Sequence, residues 1–260
     1  MPSRNAPADR IQPDVVGNVD FTTQIREKME TNFFQKDLLI ELRQQNVDFV
    51  HFVDISHLTK ERNKGFPTAI LIGIALTKDY LVKVSNNPDY VEHMKLNKTI
   101  ENDEFYLTEI KTDRIADNIE NYIENKGFKA YSQSESNILK TGFYDTEYKK
   151  TPLPHKTIAG IAGFGWIGKH NLLITREYGG AISMCSVLTD APLESKKQKP
   201  LTPKCGNCNI CIDICKANSL KGETWEYGIE REKIIDVFSC TTCFQCVVKC
   251  PWTEKYIKKQ

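Results

Sequence analysis

Eight of the nine cysteines fall into two runs of identical spacing, Cys205-x2-Cys208-x2-Cys211-x3-Cys215 and Cys240-x2-Cys243-x2-Cys246-x3-Cys250, the second followed directly by Pro251. In this spacing each triplet grips one compact iron–sulfur core, and the fourth cysteine of each run ligates the cluster of the other. One [4Fe–4S] cluster is therefore expected on Cys205, Cys208, Cys211 and Cys250, and a second on Cys240, Cys243, Cys246 and Cys215. Structural zinc fits less well, because its four ligands usually come as two separated pairs. Disulfides would require export, and MPSRNAPADR has neither an apolar signal core nor a twin arginine. Lys216 stands where a proline is usual after the fourth cysteine; that frees φ but removes no ligand. Such a chain handles single electrons.

A second chemical signature is Gly163-Phe-Gly165-Trp-Ile-Gly168-Lys169-His170. It satisfies the dinucleotide fingerprint GxGxxG and nearly satisfies the phosphate loop GxxxxGK[ST]. Neither context holds. The preceding residues read as helix, the next acid, Glu177, comes too early for a ribose contact, and His170 replaces the Mg²⁺-binding hydroxyl. What remains is a glycine turn that lets backbone approach something closely, with Trp166 and Lys169 beside it.

The elements that must position these groups follow from hydrophobic periodicity. A helix is expected over 32–46 and a strand over 47–55. The apolar run AILIGIAL (69–76) suits a strand buried on both faces. A long amphipathic helix is expected over 103–125 with Gly127 ending it, then an extended segment at 128–131. A helix over 155–162 leads into the glycine turn, and 181–188 reads as a further buried strand. The fold class is α/β (α+β): an N-terminal layered domain over 31–200, after an extended arm at 1–30, and a ferredoxin-like two-cluster domain over 201–260. The polar, proline-containing segment LESKKQKPLTPK (193–204) marks the boundary. At 260 residues and net charge +1, the chain is too long for a ferredoxin alone and shows no global pull toward nucleic acid or anionic membrane. No stretch approaches the roughly 20 apolar residues of a membrane span. A reducing cytoplasm is the expected compartment.

The segment LPHKTIAGIAGFGWIGKHNLLIT (153–175), then EYGGAISMCSVLTDAPL (177–193), then the cysteine runs, resembles the epoxyqueuosine reductase family, cobalamin-dependent iron–sulfur enzymes related to reductive dehalogenases. The resemblance is dense over Leu153–Pro251 and weaker, though in register, at AILIGIAL. It implies an oxidoreductase in which an α/β domain holds base-off cobalamin and the clusters deliver electrons to cobalt. The corrinoid-facing residues it implies are Gly163, Gly165, Trp166, Gly168, Lys169 and His170. Lys169 suits a corrinoid amide or phosphate and plain solvent equally well, whereas His155 and His170 are more readily satisfied structural histidines than cobalt ligands or proton donors.

Three departures bear on substrate. The family's acid, in an Asp-Tyr-His motif, has no counterpart near EFYLT (104–108). The family's insert within the second cysteine run is missing, and so is the C-terminal region that grips tRNA. Tyr144, Asp145, Tyr148 and His155 are the candidates for a replacement proton donor. The expected partners are an upstream donor such as ferredoxin or flavodoxin and, as a second candidate, a corrinoid protein; tRNA and membrane are not expected. An electron-transfer protein without a substrate of its own, and an epoxyqueuosine reductase acting on tRNA, stand as alternatives. Cys185, within the apolar run ISMCSVL, is expected to be an inert buried thiol.

Overall fold

The computed structural model describes residues 21–195, 198–226 and 229–259, with side chains in the first helix described from Phe33 onward. At its centre is a four-stranded sheet of order β1-β2-β6-β3, with β1 Phe49–Asp54, β2 Thr68–Ala75, β3 Ala130–Ser132 and β6 Ile182–Thr189. Every neighbouring pair is antiparallel. The two central strands are buried along nearly their whole length, as continuous apolar runs require.

One face is covered by α1 (Phe21–Gln44) and α5 (Glu104–Asn125), which set Leu38, Leu42, Ile115, Ile119 and Ile123 against Ile70, Ile72, Cys185 and Val187. The expected arm at 1–30 needs correction: residues 1–20 lie outside the described part, but from Phe21 the chain is helical. The prolines of the arm all precede Asp14, so nothing beyond them breaks a helix. Asp103 caps α5 by accepting from the Tyr106 N–H at 3.1 Å. Gly127, at φ +88°, ends it, with its N–H on the Glu124 carbonyl and that of Phe128 on Ile123.

The other face carries α7 (His155–Ile161) and a hairpin of β4 (Gly165–Ile167) and β5 (Leu173–Thr175). Their apolar groups, with Phe49, Val53, Leu71 and Leu188, form the second core. The first four smaller helices are α2 (Lys60–Asn63), α3 (Lys78–Asn86), α4 (Tyr90–Leu96) and α6 (Glu135–Lys140). The cysteine segment adds α8 (Ile210–Asp213), α9 (Gln245–Val248) and α10 (Pro251–Lys258). It shares a core with the layered part: Leu76, Tyr80, Leu81, Val84 and Ala181 pack with Val248. Gln245 donates to the Val84 carbonyl at 3.0 Å, Tyr256 to that of Leu76 at 3.2 Å, and the Gly180 N–H to Thr253 Oγ1 at 3.0 Å. Among the described residues no helix is long and apolar enough to cross a membrane.

Candidate functional site

The eight cysteines of the two runs lie near one another, Cys250 packing with Cys205 and Cys211 with Cys215, Cys240 and Cys246. Burial, then the charges of Cys205, Cys250 and Cys208, push the Cys211 thiol up to about 11. Cys246 is raised by burial and then by Cys243, Cys240, Cys211 and Cys215. Cys250 therefore stands with the first triplet and Cys215 with the second, and the two sets adjoin through Cys211. All eight are free thiols. Among the described residues no three His, Cys, Asp or Glu side chains converge tightly enough to hold a single metal ion. The loops reach these positions through left-handed residues, Gly206 at φ +48°, Thr242 at +52° and Phe244 at +68°. Thr242 and Phe244 carry side chains in that region, a strain that persists only where the surroundings over-determine it.

Trp166 forms a wall between the first set and a cavity. It is buried with Ile174 and Cys250 and is flanked by Leu201, Cys205 and Trp252. Its ring meets that of Trp252 edge-on, centroids 4.8 Å apart at 77°. Its other side borders a largely apolar cavity of about 530 Å³, closed by Leu58 and Arg62, by Thr157, Gly160 and Ile161 of α7, and by Pro200–Pro203. Among the described residues the Trp166 indole N–H has no partner.

The glycine segment behaves differently from the expected turn. Gly165–Ile167 is strand β4, and a Cβ on Gly165 would collide with the backbone carbonyl of Ile174. One on Gly168 would overlap the Ile174 side chain. These glycines admit β5 rather than a ligand, so of the six expected corrinoid-facing residues only Gly165 and Trp166 border this cavity. Gly163, at φ +64°, lies against Gln198 and the Lys199 carbonyl. Lys169 reaches across to Asn209 Oδ1 at 2.9 Å, within the first cysteine run.

His170 is buried and accepts from the Leu172 N–H at Nδ1, leaving Nε2 without a partner. Burial, then the nearby Lys156 charge, lowers it to about 4. Lys156 itself is lowered to about 7 by burial and then by Arg231, and donates to the Asn171 carbonyl at 2.7 Å. Lys156 of α7 thus lies within electrostatic reach of Arg231 in the cysteine segment, and burial disfavours its charge.

The proton-donor candidates separate. Tyr144 and His155 border a cleft of about 340 Å³ between α5, α6 and the first half of β6, where β3 has already ended. His155 Nδ1 lies 2.9 Å from Ser186 Oγ, and burial lowers its pKa to about 4, so it is neutral at neutral pH. Asp145 instead accepts from the Tyr148 N–H within its own turn, and Tyr148 is exposed, its carbonyl held by Arg231. The same cleft holds groups that no sequence motif singles out. Glu109 is raised to about 7 by burial, then by Asp113, Glu135 and Asp103. Asp113 is raised by burial and contacts the thiol of Cys185, which is fully buried and pushed well above its usual range, as its apolar surroundings imply. Only the i, i+4 spacing of Glu109 and Asp113 on one helix face could have drawn attention to the pair.

No family model matches the chain. An epoxyqueuosine reductase of Listeria monocytogenes is 42% identical over 66 residues, 25% of this chain and 17% of the relative. One of Pseudomonas aeruginosa is 27% identical over 212 residues, 70% of this chain and 51% of the relative. The chain thus spans about half the length, or less, of these curated relatives. Among solved structures, a catabolic reductive dehalogenase gives a TM-score of 0.55 at 14% identity, over 80% of this chain and 30% of that one. An epoxyqueuosine reductase crystallised with a tRNA-Tyr epoxyqueuosine-modified tRNA stem loop gives 0.51 at 14% identity, over 86% and 66%. The resemblance expected from the glycine and cysteine segments is borne out: the chain is similar in sequence to epoxyqueuosine reductases, and shares its fold with them and with a reductive dehalogenase.

Proposed function

We propose that this chain is an iron–sulfur oxidoreductase of the epoxyqueuosine reductase kind, relaying single electrons through two [4Fe–4S] clusters toward a corrinoid seated against Trp166. The observation that carries the reading is the adjacency of one crossed thiol set to the Trp166 wall of an apolar cavity. Cys205, Cys208, Cys211 and Cys250 would hold one cluster, and Cys240, Cys243, Cys246 and Cys215 the other. When bound, the clusters supply one-electron transfer and the corrinoid a strong reductant.

The residues present fit a corrinoid. Leu58, Ile161, Trp166 and Leu201 offer apolar surface to a flat macrocycle, while Arg62, Thr157, Gln198 and Thr202 stand ready for amide side chains. The unpartnered Trp166 N–H supplies one donor on that wall. Trp166 and Trp252 also keep water from the Cys250 side of the first set, which lowers the local dielectric around it. Electrons would arrive from a ferredoxin or flavodoxin in a reducing cytoplasm.

A second reading concerns substrate. The relatives' names favour epoxyqueuosine in tRNA over the expectation that tRNA is not a partner. Anaerobic incubation of the reduced, cobalamin-supplemented protein with an epoxyqueuosine-modified stem loop, followed by nucleoside mass spectrometry, separates the two. Conversion to queuosine assigns the tRNA substrate. Cobalamin binding without conversion leaves another substrate, and intact clusters without cobalamin binding reduce the chain to an electron carrier.

A further inference from the structure

The cleft beside Glu109 has a one-sided chemistry. Glu109, Asp113 and Glu135 contribute carboxylates, and no lysine or arginine lines it. The effects on the Glu109 carboxyl are all in one direction: burial and three neighbouring acids, with no compensating cation. Asp113 is already tied down by the Glu135 N–H at 2.9 Å. At the floor lies Gln133, 1% exposed, whose amide N–H donates to the Leu153 carbonyl at 2.7 Å. That bond orients the amide and leaves Oε1, an acceptor, buried without any partner. A buried acceptor with nothing to accept from, beside uncompensated carboxylates, calls for a ligand that brings N–H donors and positive charge.

The remaining walls say what kind of cation. Tyr106 and Tyr144 supply aromatic faces, which attract organic cations. Tyr106, Ile110 and Leu139 leave substantial apolar surface exposed around the mouth. These apolar and aromatic walls suit an organic cation better than a strongly hydrated metal ion. An anion would be repelled by the carboxylates.

We propose that this cleft, at the open edge of β6 where β3 stops, binds a small organic ammonium, with Glu109 and Glu135 as counter-charges and Gln133 Oε1 as acceptor for its N–H. No cysteine of either set lines the cleft, so cluster content and ammonium binding are read separately, although Tyr144 and His155, named above as proton-donor candidates, do line it.

Calorimetric titration of the anaerobically purified full chain with benzylammonium, benzyl alcohol and phenylacetate tests the proposal. Benzylammonium is expected to bind, and the alcohol and the carboxylate to bind at least about tenfold more weakly, because a charge-assisted hydrogen bond is lost. Glu109→Gln should weaken benzylammonium by about tenfold, and Glu135→Gln by about threefold. Should Glu109→Gln fail to fold, Glu135→Gln decides alone, since its side chain reaches solvent. Absence of benzylammonium binding, equal affinity for the alcohol, or an affinity unchanged in the folded variants overturns the proposal. Visible absorbance of the same samples reports the clusters, so the redox reading stands or falls separately.

Discussion

The cavity beside Trp166 and the cleft beside Glu109 both border α7, yet they are built from opposite materials. Thr157, Gly160 and Ile161 of α7 face an apolar space that abuts a thiol set through a pair of tryptophans. His155, at the first residue of the same helix, faces a space walled by acids on α5 and α6. The first is organised by hydrophobic packing against the electron-handling end of the chain. The second is organised by charge that the protein itself leaves unbalanced. One helix can therefore divide a redox compartment from a recognition compartment, with its N-terminal residue on one side and its later turns on the other.

The sharpest way to break the first compartment is through its ligands. Cys215→Ser should remove about four of about eight irons per chain, because it completes the set formed by Cys240, Cys243 and Cys246. Electron paramagnetic resonance should then lose that cluster while the signal of the Cys205–Cys211 triplet persists. Loss confined to the cluster of its own run would reject the crossed arrangement.

Next in size is the hairpin beneath Trp166. Gly165→Val would drive a side chain into the Ile174 carbonyl, destabilising the fold by about 3 kcal/mol, the upper end of ordinary overpacking. Because Ile174 and Trp166 pack on Cys250, iron should fall along with thermal stability. A stable variant with full iron content would contradict the close approach of β5 as the reason for this glycine.

The recognition compartment gives a smaller, pH-dependent signal. Glu109 is raised to about 7, so between its ordinary value of 4.5 and about 7 the folded chain holds the proton more tightly than the unfolded chain. Stability attributable to this group is therefore full at low pH and declines as pH rises through that window. Its side chain still meets solvent at the cleft mouth, which limits the effect to about 1 kcal/mol. Denaturant midpoints at pH 5 and pH 7.5 should differ less in Glu109→Gln than in the wild type. An identical pH profile would mean that the neighbouring acids do not act on it.

The two compartments were also unequally legible in the sequence. The thiol sets follow from spacing alone, since ligand geometry dictates the intervals. AILIGIAL and ISMCSVL announced the central strands because burial on both faces leaves no polar alternation to misread. The glycine segment does turn at Gly163 and again at Gly168–Asn171, but the strand between them was missed because three residues have no periodicity of their own. Its identity comes from pairing with Leu173–Thr175. The short helices α3, α4 and α6 were not anticipated, being too brief for an amphipathic stripe to declare itself. The acid cleft was invisible because Glu109, Gln133, Tyr144 and Ser183 come from separate segments, and only the early end of β3 brings them together.

The most direct test of the redox compartment is a visible-spectrum titration of the anaerobically purified, iron-replete protein with cobalamin, performed in parallel on wild type and Trp166→Ala. The proposed arrangement predicts saturation near one cobalamin per wild-type chain with its clusters intact, and at least about tenfold weaker binding per iron-replete chain in the variant, whose iron content is measured alongside because Trp166 packs on Cys250. Absence of a cobalamin spectral change in the wild type, in both oxidised and reduced states and with its clusters intact, would contradict it.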